Sequence, residues 1–175
     1  AQVSWRINDT GAYTVIGNAV PGGTTLPWNT ATAGGDSSLY RLLVSIASDS
    51  DESNAFFTVD NTAPVAAANG AYACNEAGNT AVDSTGSSDA TSGIASIDWD
   101  LDNDGVFETN GAAPTYNCGA NGAYTINVQI TDNSGNTAND TTTVNVANAP
   151  PLVNVIYPNG GEYLGNTINV QWTAT

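Results

Sequence analysis

Apolar residues recur at every second position in several short stretches of this chain. Val3, Trp5 and Ile7 fall on one side of such a stretch, with Ser4 and Arg6 on the other. Tyr40, Leu42, Val44 and Ile46 repeat the pattern, as do Ile97, Trp99 and Leu101. The longest run sets Tyr124, Ile126, Val128 and Ile130 against Thr125, Asn127, Gln129 and Thr131. The last sets Ile168, Val170 and Trp172 against Asn169, Gln171 and Thr173. A period of two predicts strands with one buried and one wet face, as an antiparallel sandwich requires. Turn-forming clusters fall between them: Pro21-Gly22-Gly23, Ala33-Gly34-Gly35-Asp36, Ser134-Gly135-Asn136 and Asn159-Gly160-Gly161. No helical period is sustained, so the chain reads as all-β.

Two parts of the chain read alike. Val44 to Asp49 resembles Val128 to Asp132: each is a strand ending in Asp, followed by a polar turn. Each then has a second strand ending in Thr-Val (Thr58-Val59 and Thr143-Val144) and a later Ala-Pro. The Ala-Pro stops at Pro64 and Pro150 lie 86 residues apart, a usual length for an immunoglobulin-like sandwich. Residues 65–150 are therefore expected to form one complete sandwich. Residues 1–64 read as the C-terminal part of another, and 151–175 as the N-terminal strands of one more.

A sandwich split in this way predicts that copies complete one another head to tail. Val153, Val155, Ile168, Val170 and Trp172 would be donated to a strand carrying Val3, Trp5 and Ile7. At ~1.5–3 kcal/mol per buried large side chain, five donated residues offer roughly 7–15 kcal/mol before ordering costs. Two routes stay open: strand donation between separate protomers, or one period of a longer covalent array.

Charge narrows the partners. Seventeen acids face only Arg6 and Arg41, for a net charge of −15. Nothing in the chain could neutralise phosphates, which excludes nucleic acid and an anionic membrane surface. No run approaches the ~20 apolar residues of a membrane span. With no His and no Lys, a Ser or Cys nucleophile lacks its ordinary base. No Gly-rich phosphate loop or haem-attachment motif occurs, so neither an enzyme nor an organic cofactor is expected.

The acidic run is the strongest chemical feature. Asp100, Asp102 and Asp104, followed by Gly105, match the opening of a calcium loop, and Glu108 could add a ligand. Calcium is thus the candidate ion. The EF-hand pattern then fails, because Gly111 stands where a bidentate Glu is expected. On an extended strand Asp98, Asp100 and Asp102 would sit at ~6.6 Å intervals, too far apart for bonds of ~2.4 Å to one ion. Only the Asp102–Gly105 turn is expected to curl enough. The alternative is a solvated face with an Asn103-Asp104-Gly105 hairpin turn. Asp83, Asp89 and Asp132 are further candidates from neighbouring turns, and Asp49 to Glu52 reads as a solvated turn.

Cys74 and Cys118 are the only cysteines. In a secreted chain they are expected to bridge, worth roughly 4 kcal/mol in the chain-entropy model; two free buried thiols are the alternative. Asn8-Asp9-Thr10 and Asn139-Asp140-Thr141 are glycosylation sequons, the second expected in the turn between the last two strands of the complete sandwich.

The stretch Asp98-Trp99-Asp100-Leu101-Asp102-Asn103-Asp104-Gly105, with the later Gly122-Ala123-Tyr124-Thr125-Ile126 and Val128 to Asp132, resembles the polycystic-kidney-disease-type (PKD) domain. Leu101 and Asp102 stand where that family has Phe and Gly. Tyr157 to Glu162, with Ile168, Val170 and Trp172, resembles the opening of bacterial and archaeal surface Ig-like (fibronectin III-like) repeats, and Trp5 to Pro64 resembles their close. These resemblances imply tandem β-sandwiches, an extracellular or cell-surface location and a non-catalytic role. The function expected is a structural subunit or repeat of an extracellular filament or surface polymer. Alternatives are the stalk of an adhesin that binds glycan or protein, or an accessory module of a secreted hydrolase. The expected partners are other copies of the chain, with glycans or surface proteins as further candidates.

Overall fold

The computed structural model describes residues 1–19, 25–32 and 34–174. The expected turn at Pro21-Gly22-Gly23 and the residue Ala33 lie outside the described residues. Five strands form the first sheet: β1 (Gln2–Ile7), β2 (Thr14–Asn18), β3 (Ser37–Ile46), β4 (Asp49–Glu52) and β5 (Phe57–Val59). Their order is β2-β1-β3-β4, with β5 also on β3.

Val3 opposes Val44, Trp5 opposes Leu42 and Ile7 opposes Tyr40, so the apolar positions share one face. An aromatic cluster covers half of that face. Trp5, Trp28, Tyr40 and Phe57 pack with ring centroids 5.2 to 6.3 Å apart. Gly34 is needed beneath it, because a Cβ there would strike the Trp5 ring. The other half stays open: Val44 is 41% and Ile46 61% exposed.

Asp49 to Glu52 is a strand, not the expected turn. It pairs with Leu43 to Ile46, and its charges suit the outer edge of a sheet, where they discourage further pairing. On the opposite face Glu52 accepts from Arg6 and Tyr13, and Asp9 from Arg41.

Seven strands build the middle of the chain: β6 (Tyr72–Asn75), β7 (Asn79–Ala81), β8 (Ile94–Asp100), β9 (Thr109–Asn110), β10 (Thr115–Asn117), β11 (Gly122–Asp132) and β12 (Thr137–Ala147). One sheet runs β6-β12-β11-β8-β9 and a second pairs β10 with β7. Trp99 opposes Val128, and Ile97 opposes Ile130, as period two predicts. Ten buried residues fill the space, among them Val82, Trp99, Ile126, Val128, Ile130 and Val144 at 0% exposure. The Trp99 indole donates to the Gly111 carbonyl at 3.1 Å, so its polar atom is satisfied in the core. The Cys74–Cys118 disulfide is formed and closes a separation of 44 residues.

Three further placements differ from expectation. Leu101 lies just beyond β8. Asn139 is inside β12, opposite Gln129, and not in a turn. Its run of polar residues looks like a loop, but the real turn is Ser134 to Asn136, and Asn139 occupies an outward position of a continuous strand. At the far end, β13 (Val153–Tyr157) and β14 (Gln171–Ala174) form a two-stranded sheet of their own. Trp172 is in β14, whereas Ile168 and Val170 precede it, because pairing with β13 starts only at Gln171.

Candidate functional site

The chain leaves β8 at Asp100 and curls at once. Carboxylate oxygens of Asp100, Asp102, Asp104 and Glu108 come within 4.8 Å of one another. Asp100, only 1% exposed, organises the loop: it accepts the amides of Asp104 at 3.2 Å and Gly105 at 3.0 Å. Asn103 (φ 59°) and Gly105 (φ 92°) take left-handed conformations that these residue types tolerate. Asp100 and Asp102 are therefore not spread along one extended strand, which corrects the expected spacing, and the Asn103-Asp104-Gly105 segment is part of a longer loop between β8 and β9. Asp98 stays on the strand and bonds Ser96 and Asn110.

Asp60, Asp89 and Asp132 also bring carboxylate oxygens within 4.8 Å of one another. Asp60 directly follows β5. Its carboxylate accepts the amides of Thr62 and Ser92, each at 3.1 Å, and its carbonyl accepts from the Asn136 amide group at 3.2 Å. The exit from the first sheet is thereby fastened to two turns of the middle sandwich. Burial pushes the Asp89 carboxyl up, but the amides of Gly93, Ser92, Thr91 and Ala90 outweigh it and hold its pKa below the ordinary value. Asp132 behaves alike: burial raises it, while the Asn136 side chain and the amides of Asn136, Ser134 and Gly135 bring it below the ordinary value.

Two oxygens bound to one calcium can be no more than about 4.8 Å apart, twice the ~2.4 Å bond. Both clusters meet that limit with hard oxygen donors. Asp89 and Asp132, candidates from sequence, do meet, and Asp83 does not join them; it caps Thr85 and Asn69 instead. Asp60 was missed, since an acid before Asn61-Thr62-Ala63-Pro64 reads as linker. The signal was available in its position, one residue beyond an apolar strand end.

The sequon residue Asn8 is exposed in a turn at φ 57°. Its side-chain oxygen accepts both the amide and the hydroxyl of Thr10 at 2.9 Å. Asn139 is exposed on its strand. Of the residues expected to assemble copies, Val3, Trp5 and Ile7 are half-buried in the first sheet, while Val153, Val155 and Trp172 are exposed in the hairpin.

The family model described as the PKD domain matches residues 61–147. This stretch belongs to the PKD domain family. Asp60 stands one residue before the matched stretch begins. Among solved structures, the PKD1 domain of Vibrio anguillarum Epp is similar at 28% identity and a TM-score of 0.42, over 51% of this chain and 100% of that one. A structure of carbohydrate-binding modules of promiscuous specificity from the β-sandwich superfamily is similar at 19% identity and a TM-score of 0.46. That match covers 66% of this chain and 55% of the other, so this chain spans about half of that relative's length. No curated protein matches the chain.

Proposed function

We propose that this chain is a non-catalytic, extracellular structural module whose copies join end to end by sharing β-layers. The single observation that carries this reading is a pair of apolar faces left open. In β13 and β14 every residue is exposed, and the paired Val155 and Trp172 share a face with Val153 and Ala174. In the first sheet Val44 and Ile46 lie uncovered on the apolar face. Laid over that open half, the hairpin of one copy supplies the second layer of the next copy's sandwich. The contact joins two different surfaces, so it runs head to tail and does not stop at a twofold dimer, as a filament or surface polymer requires. Exposed apolar strands are otherwise a hazard for non-specific aggregation.

The Cys74–Cys118 disulfide fits an oxidising, extracellular setting. Calcium is the ion that the two carboxylate clusters would take. Asp60, Asp89 and Asp132 would tie the junction of the first sheet to the PKD domain, and Asp100, Asp102, Asp104 and Glu108 would close the loop after β8. The test is sedimentation and electron microscopy of the wild type and of Trp172→Glu. Wild-type chains should form oligomers or fibres with concentration, and Trp172→Glu should remain monomeric. A wild type that stays monomeric at all concentrations overturns end-on joining and leaves the adhesin-stalk reading.

A further inference from the structure

A groove of about 670 Å³ opens on the PKD domain between β10, the start of β11 and the loop Leu101 to Glu108. Its size falls among small-ligand sites of ~300–1,000 Å³. Tyr116, on its wall, is only 8% exposed. Its hydroxyl has no hydrogen-bond partner among the described residues, yet no buried side-chain oxygen or nitrogen there lacks one. That hydroxyl is thus not fully enclosed, and the groove is the cavity that its residue lines. Tyr124 lines the same groove half-buried, its own hydroxyl anchored on the Ala120 carbonyl at 2.8 Å. Glycines flank it: a Cβ at Gly122 would meet the Tyr124 ring at 3.4 Å, and one at Gly119 would meet nothing within 4 Å.

We infer that this groove binds a neutral polyhydroxylated ligand, a saccharide unit resting on Tyr124 with hydroxyls bonded to Tyr116, Asn117, Asp102 and Glu108. A sugar ring offers an apolar C–H face to an aromatic ring and hydroxyls that both donate and accept. The wall matches both needs, with carboxylates as acceptors and the Asn117 amide and Tyr116 hydroxyl as donors. No Lys or Arg lines the groove, so no cationic side chain there draws phosphates, sulfated glycans or acidic peptides. A cationic side chain, which only donates, would leave the Tyr116 and Asn117 donors unanswered. The groove lies on the PKD domain, apart from the faces that join copies.

The inference is tested by titrating the full chain with neutral oligosaccharides of glucose, mannose, galactose and N-acetylglucosamine, and with an oligolysine peptide, in calcium and in chelator. At least one oligosaccharide should bind saturably and resist high salt. Tyr116→Phe removes only an unpartnered hydroxyl, so it should fold normally and weaken binding about fivefold. Gly119→Gln should plug the groove and abolish binding. No saturable sugar binding, binding equal in Tyr116→Phe, or binding of oligolysine alone that salt removes would each overturn it. The Trp172→Glu chain should bind as the wild type does, which separates this result from the outcome for assembly.

Discussion

Trp99 in the PKD domain and Trp172 in the last hairpin occupy equivalent places in alternating strands, yet Trp99 is fully buried and Trp172 is 61% exposed. Their own strands do not explain the difference. Trp99 sits between β9 and β11 and is covered by the Val82, Tyr116 and Cys118 layer, whereas β14 has only β13. An alternating pattern specifies which face is apolar; a second layer decides whether that face is buried. The first sheet stands between the two cases, with an aromatic cluster over half its face and Val44 and Ile46 bare. Charge follows the same divide. Both arginines serve the first sheet through Asp9 and Glu52, and the PKD domain has acids but no Lys or Arg.

The comparison breaks most sharply at Trp99. Trp99→Ala should destabilise the PKD domain by about 3–5 kcal/mol in chemical denaturation, while the fluorescence of Trp5 and Trp28 reports an unchanged first sheet. Loss of both signals together would mean that the two regions fold as one unit. Replacing Cys74 and Cys118 with Ser should cost roughly 4 kcal/mol, again in the PKD transition alone. Calcium should raise that same transition by roughly 2.7 kcal/mol at a hundredfold excess over its Kd; an identical Tm in chelator removes the ion.

Acid should weaken both regions, the first sheet through Asp36 and Glu52, whose carboxyls the hydroxyls of Thr62 and Tyr13 hold below the ordinary value. Asp132 and Asp89 have folded pKa values below the ordinary one, so the unfolded chain takes up these protons more readily. The stability they confer is complete above about pH 4 and drains as pH falls through their lowered values, which a pH series of thermal melts would follow. The smallest effect on stability belongs to Trp172→Glu, within ~0.5 kcal/mol, because its side chain has no layer to lose.

Much of this contrast was legible in the strands. The positions Trp99, Ile126, Val128 and Ile130 read as core from period two alone and are buried. The edge strand Asp49–Glu52 was not legible, because its charges exist to prevent pairing on its free side and so imitate a loop. Asn139 misled for a related reason: β12 carries polar residues on its wet face, and three in a row with Asp140 and Thr141 look like a turn. The acidic loop was found but its geometry was not, since the sequence does not show that Asp100 turns the backbone by accepting two amides ahead of it. Asp60 joins Asp89 and Asp132 across 29 and 72 residues of chain, a distance no local pattern spans.

Whether the hairpin of one copy seats on the open sheet of another is read most directly by cross-linking two variants. One chain carries Ile46→Cys, the other Val155→Cys, and the mixture is oxidised and run under denaturing, non-reducing conditions. Seating predicts a mixed product at twice the 17.8 kDa mass, and little of it when Asn154→Cys, on the hairpin's other face, replaces Val155→Cys. No mixed product, or equal yields from both hairpin positions, would contradict the seating.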